Sequence, residues 1–416
     1  MKKVQVLKNG VVILAITLVL VAAIEVSLRI IYPEKIERSG RSSESLAFEF
    51  DEDFLVRMKP DMAKTFVRTK ENGGDTIHWR TNADSFRGAE LENDVDRRII
   101  VYGDSNVLAR FSNNENTFVT KLGKYLNENG TGDVEVINAG VIGFGPDQSL
   151  IRFEKEADLY KPDLVVFHIF ADNDFGDLIR NRLFDLDTAD ELVETRHKKS
   201  IDEVLVAKQD QTIIEFLNAS LIVRATNKIA RSLRGNDDED IFSLLMRKCE
   251  IEFRVYKESR PRSFSHFGDH YDLDMALALG NESTTTKMKL MAAVLKRAKE
   301  FARSKGIGFL VLIQPSQIDV TANGVLDSEY LLNRNADYKR SRLTGAVKQI
   351  CVASDIQYVD LFDVYMRNDP DVLYFGGLNS HWNDAGQDLA AEEMVQYILQ
   401  NRMLVKPSEP LPQDSV

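Results

Sequence analysis

Cysteine is nearly missing from this chain. Cys249 and Cys351 are the only two in 416 residues, so neither a disulfide framework nor a cysteine-based zinc site can be built. One bridge in an oxidising compartment and two buried free thiols are both compatible with the pair. An excess of positive charge is missing too. Lysine and arginine number 53 against 65 acidic residues, a formal net charge of −12, which argues against nucleic acid or anionic lipid as the main partner. No metal and no cofactor is expected. What remains is ordinary for a globular protein, with 44% hydrophobic and 28% charged residues. The length allows two or three average domains, or one large α/β domain with an insertion.

Long apolar runs are confined to the start of the chain. Lys2, Lys3 and Lys8 precede an apolar stretch over residues 11–24, which continues past Glu25 to Tyr32. As a helix, residues 11–32 would reach about 33 Å, enough for a bilayer core of about 30 Å. Glu25 and Arg29 are spaced to pair on one helix face. The lysine cluster places the amino terminus in the cytoplasm and exports residues 34–416. A cleaved signal peptide ending near Val21-Ala22-Ala23 is the competing reading. Either way the bulk of the protein leaves the cytoplasm.

Residues 34–95 read as a polar linker followed by short strands. Two β-rich pieces, 65–70 and 75–80, flank Glu71-Asn72-Gly73-Gly74 and predict a hairpin. His78 falls on its surface with nothing nearby to make it a ligand.

From Arg98 the pattern becomes strand, turn, amphipathic helix, repeated. The run 98–102 ends abruptly in Gly103-Asp104-Ser105. It is β-rich and too short for a helix, so it predicts a buried strand. Residues 134–138 and the doubly apolar run 164–170 predict the second and third strands. His168, inside that third run, reads as a core histidine. Residues 307–313 and 357–361 predict strands four and five. Between them, Phe118, Leu122, Tyr125 and Leu126 share one helix face, as do Met288, Met291, Leu295 and Ala298, and Leu343, Val347, Ile350 and Cys351. Pro146 suits a first helical turn, Gly306 a helix stop, and Asn383 a cap for a final helix to about Gln400. Five strands with intervening helices imply a parallel α/β/α sandwich, doubly wound and flavodoxin-like. The stretch 176–283 interrupts the alternation. It is charged, carries no motif and reads as largely helical, with Ile214, Leu217, Leu221 and Ala225 on one stripe. An insertion after strand three can cap the sheet edge.

Four blocks fall at predicted strand ends: Ser105, Gly140 in Asn138-Ala139-Gly140, Asn173 in Ala171-Asp172-Asn173-Asp174, and His381 in Asn379-Ser380-His381-Trp382-Asn383. Alone, Gly-Asp-Ser is most simply a loop serine capping a helix. In a doubly wound sheet, however, all strand ends face one edge and the four residues can converge. A hydroxyl, an imidazole and amide donors are the groups that acyl transfer needs. The order and context resemble the SGNH (GDSL-type) hydrolase family over roughly residues 96–401, the insertion apart. Residues 81–88, Thr-Asn-Ala-Asp-Ser-Phe-Arg-Gly, also resemble a segment that its membrane-anchored bacterial members carry upstream.

The resemblance implies Ser105 as nucleophile and His381 as base. The Ser105 and Gly140 N–H groups and the Asn173 amide would then form the oxyanion hole. It also exposes departures. Ala171 stands where a glycine is usual, and Asn379 and Leu378 occupy the positions where the family carries its acid. Asp384 is better explained as a helix-start charge, which leaves Asp360 and Asp363 as possible substitutes for the acid, with Asn379 as a neutral orienting group. The organisation expected is an anchor at 1–33, a linker and hairpin at 34–95, a hydrolase-like domain at 96–401 with the insertion 176–283, and a disordered tail at 402–416. The function expected is a membrane-tethered, exported esterase acting on an O-acyl group such as O-acetyl, with surface polysaccharide as the substrate suggested by family analogy. Acyl transfer to a sugar hydroxyl, and a non-catalytic carbohydrate-binding or assembly role, are the alternatives.

Overall fold

In the computed structural model the described residues are 47–195, 240–258, 269–322, 326–376 and 380–404. Contacts group residues 49–198 with 240–416 as one compact unit and residues 1–48 with 199–239 as another; the first holds the hairpin, the central sheet and its helices. The expected membrane span at 11–32, the stripe at Ile214 to Ala225, Asn379 and the tail beyond Leu404 lie outside the described residues. Among those described, no helix is long and apolar enough to cross a membrane.

After a short strand pair, Phe48–Asp51 with Leu55–Met58, the chain forms an antiparallel hairpin, β1 (Ala63–Val67) and β2 (Thr76–Arg80). The central sheet is built from β3 (Arg97–Gly103), β4 (Val134–Gly140), β5 (Leu164–Phe170), and later β8 (Gly308–Gln314) and β9 (Gln357–Asp360). All pairings are parallel, in the order β9-β8-β5-β3-β4. Numbered by appearance, that is the flavodoxin-like order 2-1-3-4-5 read backwards. The chain reverses direction across the sheet between β3 and β5. That boundary is the topological switch point, where open α/β sheets leave a crevice.

Alternation along the strands decides which helices they meet. Ile99 and Val101 face the side covered by α2 (Phe118–Glu128) and α9 (Asp384–Gln400), through Leu122, Leu126, Ala390 and Met394. Ile100 and Tyr102 face α3 (Pro146–Tyr160), α7 (Glu282–Lys305) and α8 (Arg342–Ala353), through Leu150, Phe153, Val294 and Val347. Local chemistry marks the helix ends. Pro146 opens α3, Asn383 accepts from the Ala385 and Gly386 N–H groups, and Gly306 closes α7 in the left-handed region at φ 70°. Cys249 and Cys351 are buried free thiols.

In its described residues the insertion is mostly helical and adds one strand pair that the sequence pattern did not announce. After α4 (Asp174–Asn181) it forms a short antiparallel pair, β6 (Phe184–Leu186) with β7 (Leu192–Glu194), turned through Asp190 at φ 60°. Further along the described residues come α5 (Ile241–Lys257) and α6 (Leu273–Leu277). The segment before α6 is tied to the Asn173 block, because the Asp272 N–H donates to the Asp172 carbonyl at 2.7 Å.

Candidate active site

Strand β3 ends at Gly103, where an added Cβ would meet Val107 Cγ2 at 2.6 Å and His168 Cβ at 2.9 Å. Any side chain at this position would therefore push into Val107 and His168. Asp104 then caps the one-turn helix α1 (Ser105–Leu108), its carboxylate accepting from the Asn106 N–H at 2.8 Å. Ser105 stands at the first position of α1, partly exposed, at the switch point.

The imidazole comes from the far end of the sequence. Nε2 of His381 lies 2.8 Å from Ser105 Oγ, a hydrogen-bonding distance across 276 positions. Two features carry the histidine there. Phe375 N–H donates to the His381 carbonyl, which closes the loop before α9. The next residue, Trp382, donates its indole N–H to the Asn106 carbonyl at 3.0 Å, so the histidine loop is fastened to the serine's own helix. Phe111 packs edge-on against the imidazole with centroids 5.4 Å apart. Burial, and secondarily the positive charge of Arg110, push the His381 pKa down to about 3. The resting ring is neutral, the form that can accept the serine proton.

Gly140 and Asn173 flank this pair. Gly140 pairs in register with Gly103 on β4, and Asn173 follows β5 on the other side of β3. An added Cβ at Gly140 would lie 2.2 Å from the Leu108 nitrogen, so α1 rests directly on the Gly140 backbone. The Gly140 N–H already donates to Asn138 Oδ1 at 3.0 Å. An oxyanion would have to share or capture that bond. Asn173 is buried, and its backbone carbonyl accepts from the Asp177 N–H and from Arg180. Among the described residues, its side-chain Oδ1 has no hydrogen-bond partner.

The candidate acids are placed apart. Asp360 ends the edge strand β9, three strand positions from β3, and its Oδ1 caps the Phe362 N–H at 3.0 Å. Its charged neighbours are Lys348 and Asp363. Among the described residues, no hydrogen bond or ion pair joins Asp360 or Asp363 to His381, so neither is brought into position to support the imidazole. Asp384, the first residue of α9, accepts from Ser112, Asn116 and Arg68 instead.

Beneath Ser105 lies a polar layer with no sequence signal. His168 Nε2 meets Gln314 Oε1 at 2.7 Å, and Gln314 donates to Asn106 Oδ1 at 3.2 Å. Burial lowers the His168 pKa to about 4 and raises that of Asp104 to about 7. His168 is thus a core histidine with one ring nitrogen bonded, while Nδ1 faces Asp104 Oδ1 at 3.6 Å. His78 sits on the exposed hairpin with Nδ1 3.0 Å from Thr65 Oγ. Among the described residues, no group of His, Cys, Asp and Glu is arranged to hold a metal ion.

No protein-family model matches the chain, and no curated protein matches it by sequence. Solved structures do resemble it. A lipase/acylhydrolase from Enterococcus faecalis is 13% identical with a TM-score of 0.37, over 76% of this chain and 100% of that one. An acetyl xylan esterase is 14% identical with a TM-score of 0.37, over 72% and 99%. An acetyl-xylooligosaccharide esterase variant from Geobacillus is 12% identical with a TM-score of 0.36, over 77% and 100%. Likeness at this level assigns neither residues nor activity to this chain.

Proposed function

We propose that this chain is an SGNH-type serine esterase that cleaves an O-acyl ester, with Ser105 as nucleophile and His381 as base. The observation that carries the reading is the 2.8 Å contact between Ser105 Oγ and His381 Nε2 at the sheet's switch point. Neutral His381 takes the hydroxyl proton as Ser105 Oγ attacks the ester carbonyl. The tetrahedral oxyanion is met by the Ser105 N–H, by the Gly140 N–H released from Asn138, and by the Asn173 side-chain amide. Collapse expels the alcohol, which takes the proton from His381. Water then enters by the same route and frees the acid and Ser105.

The apolar amino terminus behind a lysine cluster supports an exported, membrane-tethered enzyme. A surface polysaccharide carrying O-acetyl groups is the substrate that fits such a location. The test is labelling of the full chain with a fluorophosphonate probe beside hydrolysis of p-nitrophenyl acetate. Both should occur, and Ser105→Ala should abolish both while leaving the melting temperature near that of the parent. His381→Ala should come close to the same loss, since the two act as a unit. Hydrolysis that survives Ser105→Ala refutes the reading.

A further inference from the structure

The upstream segment 81–88 has no role in the chemistry above, yet it contributes a buried charge. Asn82 folds it into a compact turn: Oδ1 accepts from the Phe86 and Asp84 N–H groups, and Nδ2 donates to the Ala89 carbonyl. The turn sends Arg87 inward until only 5% of its surface remains exposed. There the guanidinium donates to four acceptors of a single loop. NH1 meets the Leu108 carbonyl at 2.6 Å and the Ala109 carbonyl at 2.7 Å. NH2 meets the Ser112 carbonyl at 2.6 Å, and Nε meets Asn114 Oδ1 at 3.1 Å.

These acceptors come immediately after the serine. Leu108 is the last residue of α1, and Ala109 turns the chain in the left-handed region at φ 51°. A helix of one turn leaves its terminal carbonyls without intrahelical donors. Buried, such carbonyls need a partner, and a planar cationic fork can serve several at once. Arg87 is also fixed from behind. Its own N–H donates to the Asn138 carbonyl at 3.1 Å, on the strand that ends in Gly140. Asn138 in turn donates from Nδ2 to the Val107 carbonyl at 2.8 Å. One residue therefore connects the strand bearing Gly140 to the helix bearing Ser105.

We infer that Arg87 is a positioning residue: its guanidinium holds the Ser105 turn against the Gly140 strand and so sets where the nucleophile stands relative to the oxyanion donors. The inference rests on the esterase reading for its consequence but not for its geometry. A lysine in this place keeps the charge and loses the fork, because one ammonium cannot reach four acceptors spread along 108–114.

The test uses the full chain carrying Arg87→Lys, with hydrogen exchange read by peptide and activity read per folded protein. Exchange at the amides of 105–114 should quicken by about tenfold or more, with the strands β5 and β8 unchanged. Fluorophosphonate labelling and kcat for p-nitrophenyl acetate should fall by about tenfold, with KM within about twofold, since misplacement of a reacting group acts on the chemical step. If Arg87→Lys does not fold, Asn114→Ala removes the Nε acceptor at the half-buried rim and should move the same readouts in the same direction by about twofold to threefold. Unchanged exchange at 105–114 overturns the clamp. Faster exchange with unchanged labelling and kcat overturns the positioning role and leaves Arg87 a structural residue. Absence of labelling in the parent protein defeats the esterase reading instead, and the exchange arm then decides the clamp by itself.

Discussion

Gly140→Ala should separate the serine from its catalytic geometry without removing any functional group. The new Cβ would lie 2.2 Å from the Leu108 nitrogen, 2.7 Å from the Val107 carbonyl carbon and 2.8 Å from Leu108 Cα. All three are main-chain atoms of α1, so no side-chain rotation relieves the overlap. An ordinary contact begins near 3.4 Å, so α1 and β4 must part by about 1.2 Å to admit the methyl. Overpacking of this kind costs about 1–3 kcal/mol of stability. The functional effect should be larger, because a displacement of about 1 Å at the reacting group lowers turnover by about 100-fold. The assay is kcat on p-nitrophenyl acetate, with thermal melting and far-UV circular dichroism on the same samples. Gly345→Ala is the control: it lies inside α8 with nothing within 4 Å of the added methyl, so it should gain about 0.5–1 kcal/mol in helix propensity and keep its rate. A folded Gly140→Ala protein with turnover within about threefold of the parent would refute the claim that α1 is seated on Gly140.

Other expectations concern the titrating groups and the position before His381. With His381 lowered to about 3, chiefly by burial, kcat/KM should stay level from pH 8 to about pH 5 and fall only in more acid solution; an acid limb near 6.5, measured on p-nitrophenyl acetate, would contradict that environment. Burial raises Asp147 to about 7 from 3.8, so the folded state holds a proton that the unfolded state has lost. The resulting penalty is absent below about pH 3.8, grows as pH rises and is complete above about 7, amounting to roughly 2–3 kcal/mol between pH 5 and pH 8. Asp147→Asn should therefore shrink the difference in melting temperature between those two pH values, and an unchanged difference would place the titration elsewhere. Asn379→Asp should raise kcat by at least about tenfold by restoring a carboxylate two residues before the imidazole; a flat or lower rate would mean that another group already supports the ring.

The five strands were legible because runs such as 98–102 and 164–170 are β-branched, short and apolar on both faces, as central parallel strands must be. Their order was not legible, because apolar runs do not state their neighbours. Order is what decides between the candidate acids. Asp360 and Asp363 lie close in sequence to the end of the fifth strand, but that strand, β9, is at the edge of the sheet and carries them away from β3. The pairing of Ser105 with His381 was legible because strand ends in a doubly wound sheet face one edge. The bond from Gly140 N–H to Asn138 Oδ1 was not, since a side chain two residues back competes for the donor only in the folded turn. The β6–β7 pair escaped notice because its three-residue strands sit among Asp185, Asp187, Asp190 and Glu191. Arg87 escaped for a different reason: arginine is seldom fully buried, and only the four acceptors it meets explain why this one is.

The low basicity of the resting imidazole bears on how the pair could work at all. Burial and Arg110 both resist a positive charge on His381, and the sheet order keeps Asp360 and Asp363 from offsetting it. In an acyl transfer, however, the proton moves as negative charge builds on the substrate oxygen. An oxyanion about 5 Å from the ring, at an effective dielectric of about 20, stabilises an imidazolium by about 3 kcal/mol. That is more than two pKa units, supplied only while the tetrahedral species exists. The same negative charge offsets Arg110. In the proposed reaction His381 is neutral and hydrogen-bonded to Ser105 at rest, and the oxyanion adds negative charge beside the ring as the new bond forms. In the proposed reaction the position of the oxyanion donors would therefore bear on the strength of the base as well as on the stability of the intermediate. A change at Gly140 or Arg87 should then be felt as lost proton transfer even though neither residue touches His381.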